Sequence, residues 1–259
     1  MHMKKRYAAT ISLLMMVKAC TPDVPSPVQQ SEPAPAESGT LNLQFGDNDG
    51  AEFSDDEKRL INGVVRQAER EVRALLPALP DKIEVTVVTI DRNIDIVGGV
   101  TGRAYAPGKV LLEVSETYPG GVMAAAHAAL EGSVFHEFHH LARGWTIEGN
   151  RYGPGIAIAA VNEGLASVFS ENYTGIYFEA ANAYPEEAEA WLQEIVSLPA
   201  DADYGTWMFQ HPDGRTAIGY RIGRYIVHRA AANSGKDVLE LSDMSPGDIL
   251  DLAGAPGSP

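Results

Sequence analysis

A chain of 259 residues can hold one generous domain or two small ones, and 45% apolar with 21% charged residues is an ordinary globular composition. A net charge of −15 argues against nucleic acid as a partner, because phosphate recognition needs clustered Lys and Arg. The single cysteine excludes an intramolecular disulfide and a metal cage built of thiolates.

The first 20 residues begin with Lys4, Lys5 and Arg6, followed by an apolar run from Tyr7 to Val17. That run is too short to span a bilayer but suits the core of a secretory signal. Val17-Lys18-Ala19-Cys20 resembles a bacterial lipobox, although Lys18 replaces the usual small or neutral residue. The expectation is a signal peptide over 1–19 and a lipid on Cys20 that holds the chain at a membrane. Residues 20–40 are rich in Pro, Ser, Ala and Glu and cannot offset their own ordering entropy, so they read as a disordered tether. The remaining residues, 41–259, form the domain. Together these segments imply an exported protein of the bacterial cell envelope, facing the periplasm.

Leu41 to Phe45 alternates like a short strand, and Asp47-Asn48-Asp49-Gly50 reads as a turn. Ser54-Asp55-Asp56-Glu57 is a capping box opening an amphipathic helix that runs to about residue 76. Lys82 to Ile90 is β-branched and strand-like. Asp95 to Val100, Gly102 to Ala106 and Lys109 to Val114 read as further short strands, with a turn at Pro107-Gly108. The expected sheet is small and mostly antiparallel. Lys109 to Val114 is the expected edge strand, along which an extended substrate could pair. Val122 to Ala142 reads as a helix, bent at Gly132 and ending near Arg143-Gly144. Helices follow over Ile156 to Ser170, Pro185 to Ser197 and Thr216 to Ala232, and Ser245-Pro246 opens a last short one. The fold class is therefore α+β, with a mainly helical C-terminal half.

One stretch carries the chemistry. His136-Glu137-Phe138-His139-His140 places His136 and His140 one helical turn apart, about 5–6 Å between Cβ atoms. Two imidazoles so placed can hold one Zn2+, and Glu137 beside them can take a proton from water. His139 could also reach a metal, but the 136/140 pair leaves Glu137 correctly placed, so His139 reads as a neighbour. A third ligand follows from burial. Ile156 to Ser170 is almost wholly apolar and contains one charge, Glu163, and a buried carboxylate needs a cation or several hydrogen bonds. Two histidines and a glutamate with an open fourth position make a catalytic rather than a structural zinc set.

With Asn162-Glu163-Gly164-Leu165-Ala166 and Gly219-Tyr220-Arg221-Ile222-Gly223 downstream of the histidine helix, the chain resembles a gluzincin metallopeptidase. It is most similar to a bacterial family of predicted zinc-dependent proteases with no assigned substrate, over roughly residues 80 to 250. The resemblance implies a zincin-like fold, His136, His140 and Glu163 as zinc ligands, and Glu137 as general base. It also implies an oxyanion donor C-terminal to the third ligand. Tyr220 is the candidate, with His211, His228 and Tyr225 behind it. Ser167 departs from thermolysin, which has an acid there, and leaves the partner of a ligand histidine open. The resulting reading is a zinc peptidase acting on a peptide or protein. The alternative is a non-catalytic zinc-binding envelope lipoprotein for metal capture or partner docking, against which Glu137 argues.

Overall fold

The computed structural model describes residues 39–46 and 50–255. The signal, the lipidated cysteine, nearly all of the tether and the Asp47-Asn48-Asp49 part of the expected turn lie outside these residues. Among the described residues, no helix is long and apolar enough to cross a membrane.

The chain opens with a βαβ unit. Strand β1 (Thr40–Phe45) leads into helix α1 (Asp55–Leu75), which returns the chain to β2 (Lys82–Ile90). Ser54 caps α1 through a complete capping box with Glu57, as its sequence demands. A helix between two strands carries the chain back to the starting end, so β1 and β2 pair in parallel. Strands β3 (Val100–Ala106) and β4 (Lys109–Ser115) form a hairpin about Pro107-Gly108, and β4 is also parallel to β2. The strand order is β1-β2-β4-β3, so the sheet is mostly parallel and the antiparallel expectation is corrected. Only the hairpin pair is antiparallel. The expected edge strand is corrected with it: Lys109–Ser115 lies between β2 and β3, and the edge strands are β1 and β3.

Asp95 to Val100 is not a strand. Asp95–Val97 is a single 3-10 turn, followed by Gly98 and Gly99 at φ of 74° and 81°. Both glycines adopt a left-handed conformation that other residues rarely reach. A Cβ on Gly98 would also lie 2.3 Å from the ring of Phe178.

One face of the sheet packs Ile83, Val85, Val110, Leu112 and Val114 beneath α1 and the motif helix. That helix is continuous from Gly121 to Arg143 but changes pitch. Helix α2 (Gly121–Ala125) passes through a π-turn (Ala126–Leu130) into α3 (Glu131–Arg143). The irregularity therefore precedes Gly132, and the expected bend at Gly132 moves upstream. Gly144, at φ 67°, ends α3 as expected.

The C-terminal half is helical. Helix α4 (Ile156–Thr174) is its buried axis, crossed by α8 (Ile218–Ser234). Backbones meet at this crossing: a Cβ on Gly164 would stand 2.2 Å from the Gly223 carbonyl carbon, and one on Gly223 would stand 2.0 Å from the Ala160 oxygen. The Glu-Gly-Leu-Ala and Gly-Tyr-Arg-Ile-Gly segments thus meet through their glycines. Short helices α5 (Glu179–Asn182), α6 (Ala188–Val196), α7 (Tyr204–Met208), α9 (Val238–Ser242) and α10 (Pro246–Leu252) complete the shell. Helices α5, α7 and α9 are too short to leave a periodic signal in the sequence.

Candidate metal centre

Helices α3 and α4 pack side by side and are pinned at both ends. At one end Ser170 Oγ donates to the Gly132 carbonyl at 2.8 Å. At the other, buried Arg143 donates from Nε to Asn162 Oδ1 at 3.0 Å. Its remaining donors go to the Ser242 and Met244 carbonyls, which tie the α9–α10 turn to the end of α3. Arg143 thus satisfies backbone acceptors rather than a carboxylate, and burial draws its pKa down to about 10.

This clamp brings His136, His140 and Glu163 together. Glu163 Oε2 lies 3.1 Å from His136 Nε2 and 3.2 Å from His140 Nε2, and the two nitrogens are 3.0 Å apart. Three lone-pair atoms converge on one point, and protons on the nitrogens cannot satisfy all three contacts at once. A cation can. Tetrahedral zinc with bonds of ~2.0–2.1 Å spaces its ligand atoms about 3.3 Å apart, close to what is found. The donor set fits Zn2+. It is the one group of three or more His, Cys, Asp or Glu side chains so placed among the described residues.

The electrostatics agree. Burial works to raise the Glu163 carboxyl, yet the two imidazoles overcome it and hold its pKa far below the ordinary carboxylate range. Burial likewise opposes a charge on His136, but its bond to Glu163 and the nearby Glu137 carboxylate leave its pKa above the usual imidazole value. Glu163 is the buried charge that α4 required a partner for.

Glu137 behaves differently from Glu163. Burial raises its pKa above the ordinary value, and His136 and His140 only partly oppose this. The backbone N–H of Ala104, on edge strand β3, hydrogen-bonds its carboxylate. Gly102, two residues earlier, makes room: a Cβ there would sit 2.6 Å from Glu137 Cγ. Glu137 and the sheet edge are thus in contact.

His139 points away from the cluster. Its Nε2 lies 2.8 Å from Ser242 Oγ, and that hydroxyl donates to the Val238 carbonyl, so the imidazole is the donor. Its ring packs against Phe169 at 5.2 Å between centroids. Burial, followed by the charges of His140 and Arg143, holds its pKa well below that of a free imidazole. His139 is neutral core.

The cluster lines a cleft of about 1060 Å³, which also takes in Trp145, Tyr204 and Tyr220. The hydroxyls of Tyr204 and Tyr220 interact, and both have raised pKa values, from enclosure first and from Glu163 second. Both are therefore protonated donors at neutral pH. The other candidates for the donor role do not line the cleft. His211 pairs with Asp213 at 2.8 Å, Tyr225 donates to Glu189, and His228 faces Tyr184.

Tyr204, Trp145 and Ala104 lie beyond the sequence reading. Trp145 follows the α3 cap directly, and its Nε1–H donates to Glu163 Oε1 at 3.1 Å. Its position beside the helix end was a signal, though not a specific one. Tyr204 lies on a five-residue helix with nothing local to mark it, and Ala104 acts through its backbone.

A family model described as a predicted Zn-dependent protease (DUF2268) matches residues 61–251. The chain belongs to this family. The matched span holds all three donor residues, Glu137 and both helix-crossing glycines, so the family's zinc dependence and the geometry coincide. No curated protein and no solved structure matches the chain.

Proposed function

We propose that this family member is a peptidase that hydrolyses peptide bonds in the cleft. The observation that carries the reading is the join between Glu137 and the sheet edge, directly beside the His136–His140–Glu163 cluster. A site that only captured metal would have no use for a buried carboxylate held against an open strand.

The edge suggests how a polypeptide would lie. Ala104 turns both backbone groups outward, its N–H to Glu137 and its carbonyl to the Ile147 N–H at 3.1 Å. Strand alternation gives Gly102 and Val100 the same outward aspect. An extended substrate would therefore pair with Val100 and Gly102, stopping where the 147–148 segment covers Ala104 and Tyr105. Exposed Ile147 and Phe209 at the cleft wall offer apolar contacts to its side chains.

Zinc held by His136, His140 and Glu163 would supply Lewis acidity to a carbonyl and to water in the cleft. Glu137 takes the proton from that water onto its carboxylate and delivers it to the leaving amine nitrogen. Its raised pKa suits a group that must accept a proton and then release it. The Ala104 N–H fixes which way the carboxylate faces. Tyr220, with Tyr204 against it, donates from its hydroxyl to the oxyanion that develops on the carbonyl oxygen.

The segments before the domain complete the proposal: export by the 1–19 signal, a lipid on Cys20, and a peptidase that faces the periplasm. The decisive test compares wild type with Glu137→Gln for zinc content and for cleavage of a peptide library. The variant is expected to keep its zinc and lose about 10²–10⁴-fold in rate. Unchanged hydrolysis would sink the mechanism.

A further inference from the structure

The ligands of a metal are commonly oriented by partners on their far side, and for histidines that partner is usually a carboxylate or carbonyl on the second ring nitrogen. Here that arrangement is missing where it is expected. His140 Nδ1 is buried with no hydrogen-bond partner among the described residues, although its Nε2 faces the cluster. The orienting contact falls on the carboxylate instead. Glu163 turns Oε2 to the two histidines and gives Oε1 to the indole N–H of Trp145.

The indole is itself held by the histidine helix. The Trp145 backbone N–H bonds to the carbonyl of His140 at 2.9 Å, within the cap formed by Gly144. Two residues on, the Ile147 and Glu148 N–H groups bond to the Ala104 and Tyr105 carbonyls of β3. Trp145 is thus strung between the helix that carries two donors and the strand that orients Glu137. An indole N–H is a donor only, and it neither ionises nor binds a metal. Placed on Oε1, it removes that oxygen from competition without adding a rival ligand.

We propose that Trp145 is a positioning residue that holds Glu163 as a one-oxygen zinc ligand and sets the affinity of the site. The proposal rests on zinc at the cluster, and peptide hydrolysis does not enter it. The test substitutes Trp145→Phe, which keeps an aromatic ring and deletes the N–H. Zinc affinity is read by competition with a chromophoric chelator, and the coordination number by the visible spectrum of the Co2+-substituted protein.

The expected result is a ten- to hundredfold rise in zinc Kd. The Co2+ bands should also weaken, as Glu163 becomes free to offer both oxygens and the coordination number rises. The melting temperature of the zinc-free variant should stay near that of zinc-free wild type. Wild-type affinity together with a wild-type Co2+ spectrum would overturn the proposal, as would a wild-type protein that binds no zinc. Should the variant not fold, wild type alone decides. In its 15N-labelled form, one of the three indole N–H signals should be protected from exchange and move on adding zinc, and Glu163→Ala should abolish that protection. Three indole signals indifferent to zinc would overturn the proposal equally. Peptidase activity plays no part in these readings, so failure here and failure of the peptidase assignment are separate events.

Discussion

The two walls of the cleft are built on different principles. The metal wall consists of two long helices, α3 and α4, clamped at both ends by buried hydrogen bonds and backed by α8 at glycine-to-glycine distance. All three donor side chains project from regular helix. The rest of the lining, here called the facing wall, is assembled from an edge strand, a five-residue helix and the first turn of α8. Tyr204 belongs to that short helix, and Tyr220 follows Ala217, the one non-glycine residue at positive φ among those described. The difference suggests a division of labour. Under the peptidase proposal the metal wall would hold three atoms to within tenths of an ångström, whereas the facing wall would admit a chain.

Removing a donor from the metal wall should have the largest effect. His136→Ala, His140→Ala and Glu163→Ala should each lower zinc content to background in elemental analysis of purified protein. His139→Ala should keep its zinc and lose only stability, because that ring faces Ser242 and Phe169. Loss of zinc from the His139 variant in a folded protein would break the claim that this wall sorts adjacent histidines by direction.

On the facing wall the expected effect is kinetic. Tyr220→Phe should lower kcat by about 10²–10³-fold, the loss typical of one oxyanion donor, with zinc affinity unchanged. Tyr204→Phe should cost less, since Tyr204 acts through Tyr220 in this reading. The reverse order, measured in steady-state kinetics on one cleaved peptide, would exchange the two roles.

The same contrast decides what could be read in the chain. His136, His140 and Glu163 were legible because helical spacing is a local rule, and an apolar helix with one carboxylate poses its own question. Glycine ends, capping boxes and proline starts bounded α1, α3 and α10 for the same reason. The sheet was misjudged because pairing is not local. The β1–α1–β2 order was present, and a helix between two strands points to parallel pairing, yet short β-branched runs around Pro107-Gly108 suggested hairpins throughout. One hairpin is there. The edge falls to β3 instead, since the chain passes from β2 to β3 and then turns back, so that β4 fills the place between them. Tyr204, Trp145 and Ala104 enter the site through tertiary contact, which no window of sequence contains.

A smaller effect tests the backing of the metal wall. Gly223→Ala would press a methyl group to 2.0 Å from the Ala160 carbonyl oxygen, and backbone cannot yield as a side-chain tip does. Overpacking of this kind costs about 1–3 kcal/mol. For a domain of this size that is a fall in Tm of roughly 2–4 °C per kcal/mol, read by calorimetry on the zinc-free protein. Zinc affinity should fall too, since α4 carries Glu163 one residue from the crossing. An unchanged Tm would mean that the helices can part freely, and the rigid wall would not be rigid.

The smallest effect belongs to the facing wall, at Ala217. Its φ of 52° and ψ of 36° lie in the left-handed region, where an L-residue with a Cβ is disfavoured by roughly 1–2 kcal/mol. The conformation is held from both sides: the Ala217 N–H bonds to the Phe209 carbonyl, and its own carbonyl accepts from Arg221 in the first turn of α8. Ala217→Gly relieves the clash but frees the unfolded chain, which costs about 0.4–1 kcal/mol in the opposite direction. The two terms partly cancel, leaving a net gain of about 0–1.6 kcal/mol, so Tm should stay level or rise by at most about 6 °C. A drop of several degrees would mean that the alanine methyl packs favourably at the base of Tyr220. In that case the facing wall would be held by packing, as the metal wall is, and the contrast between the two would narrow to one of length.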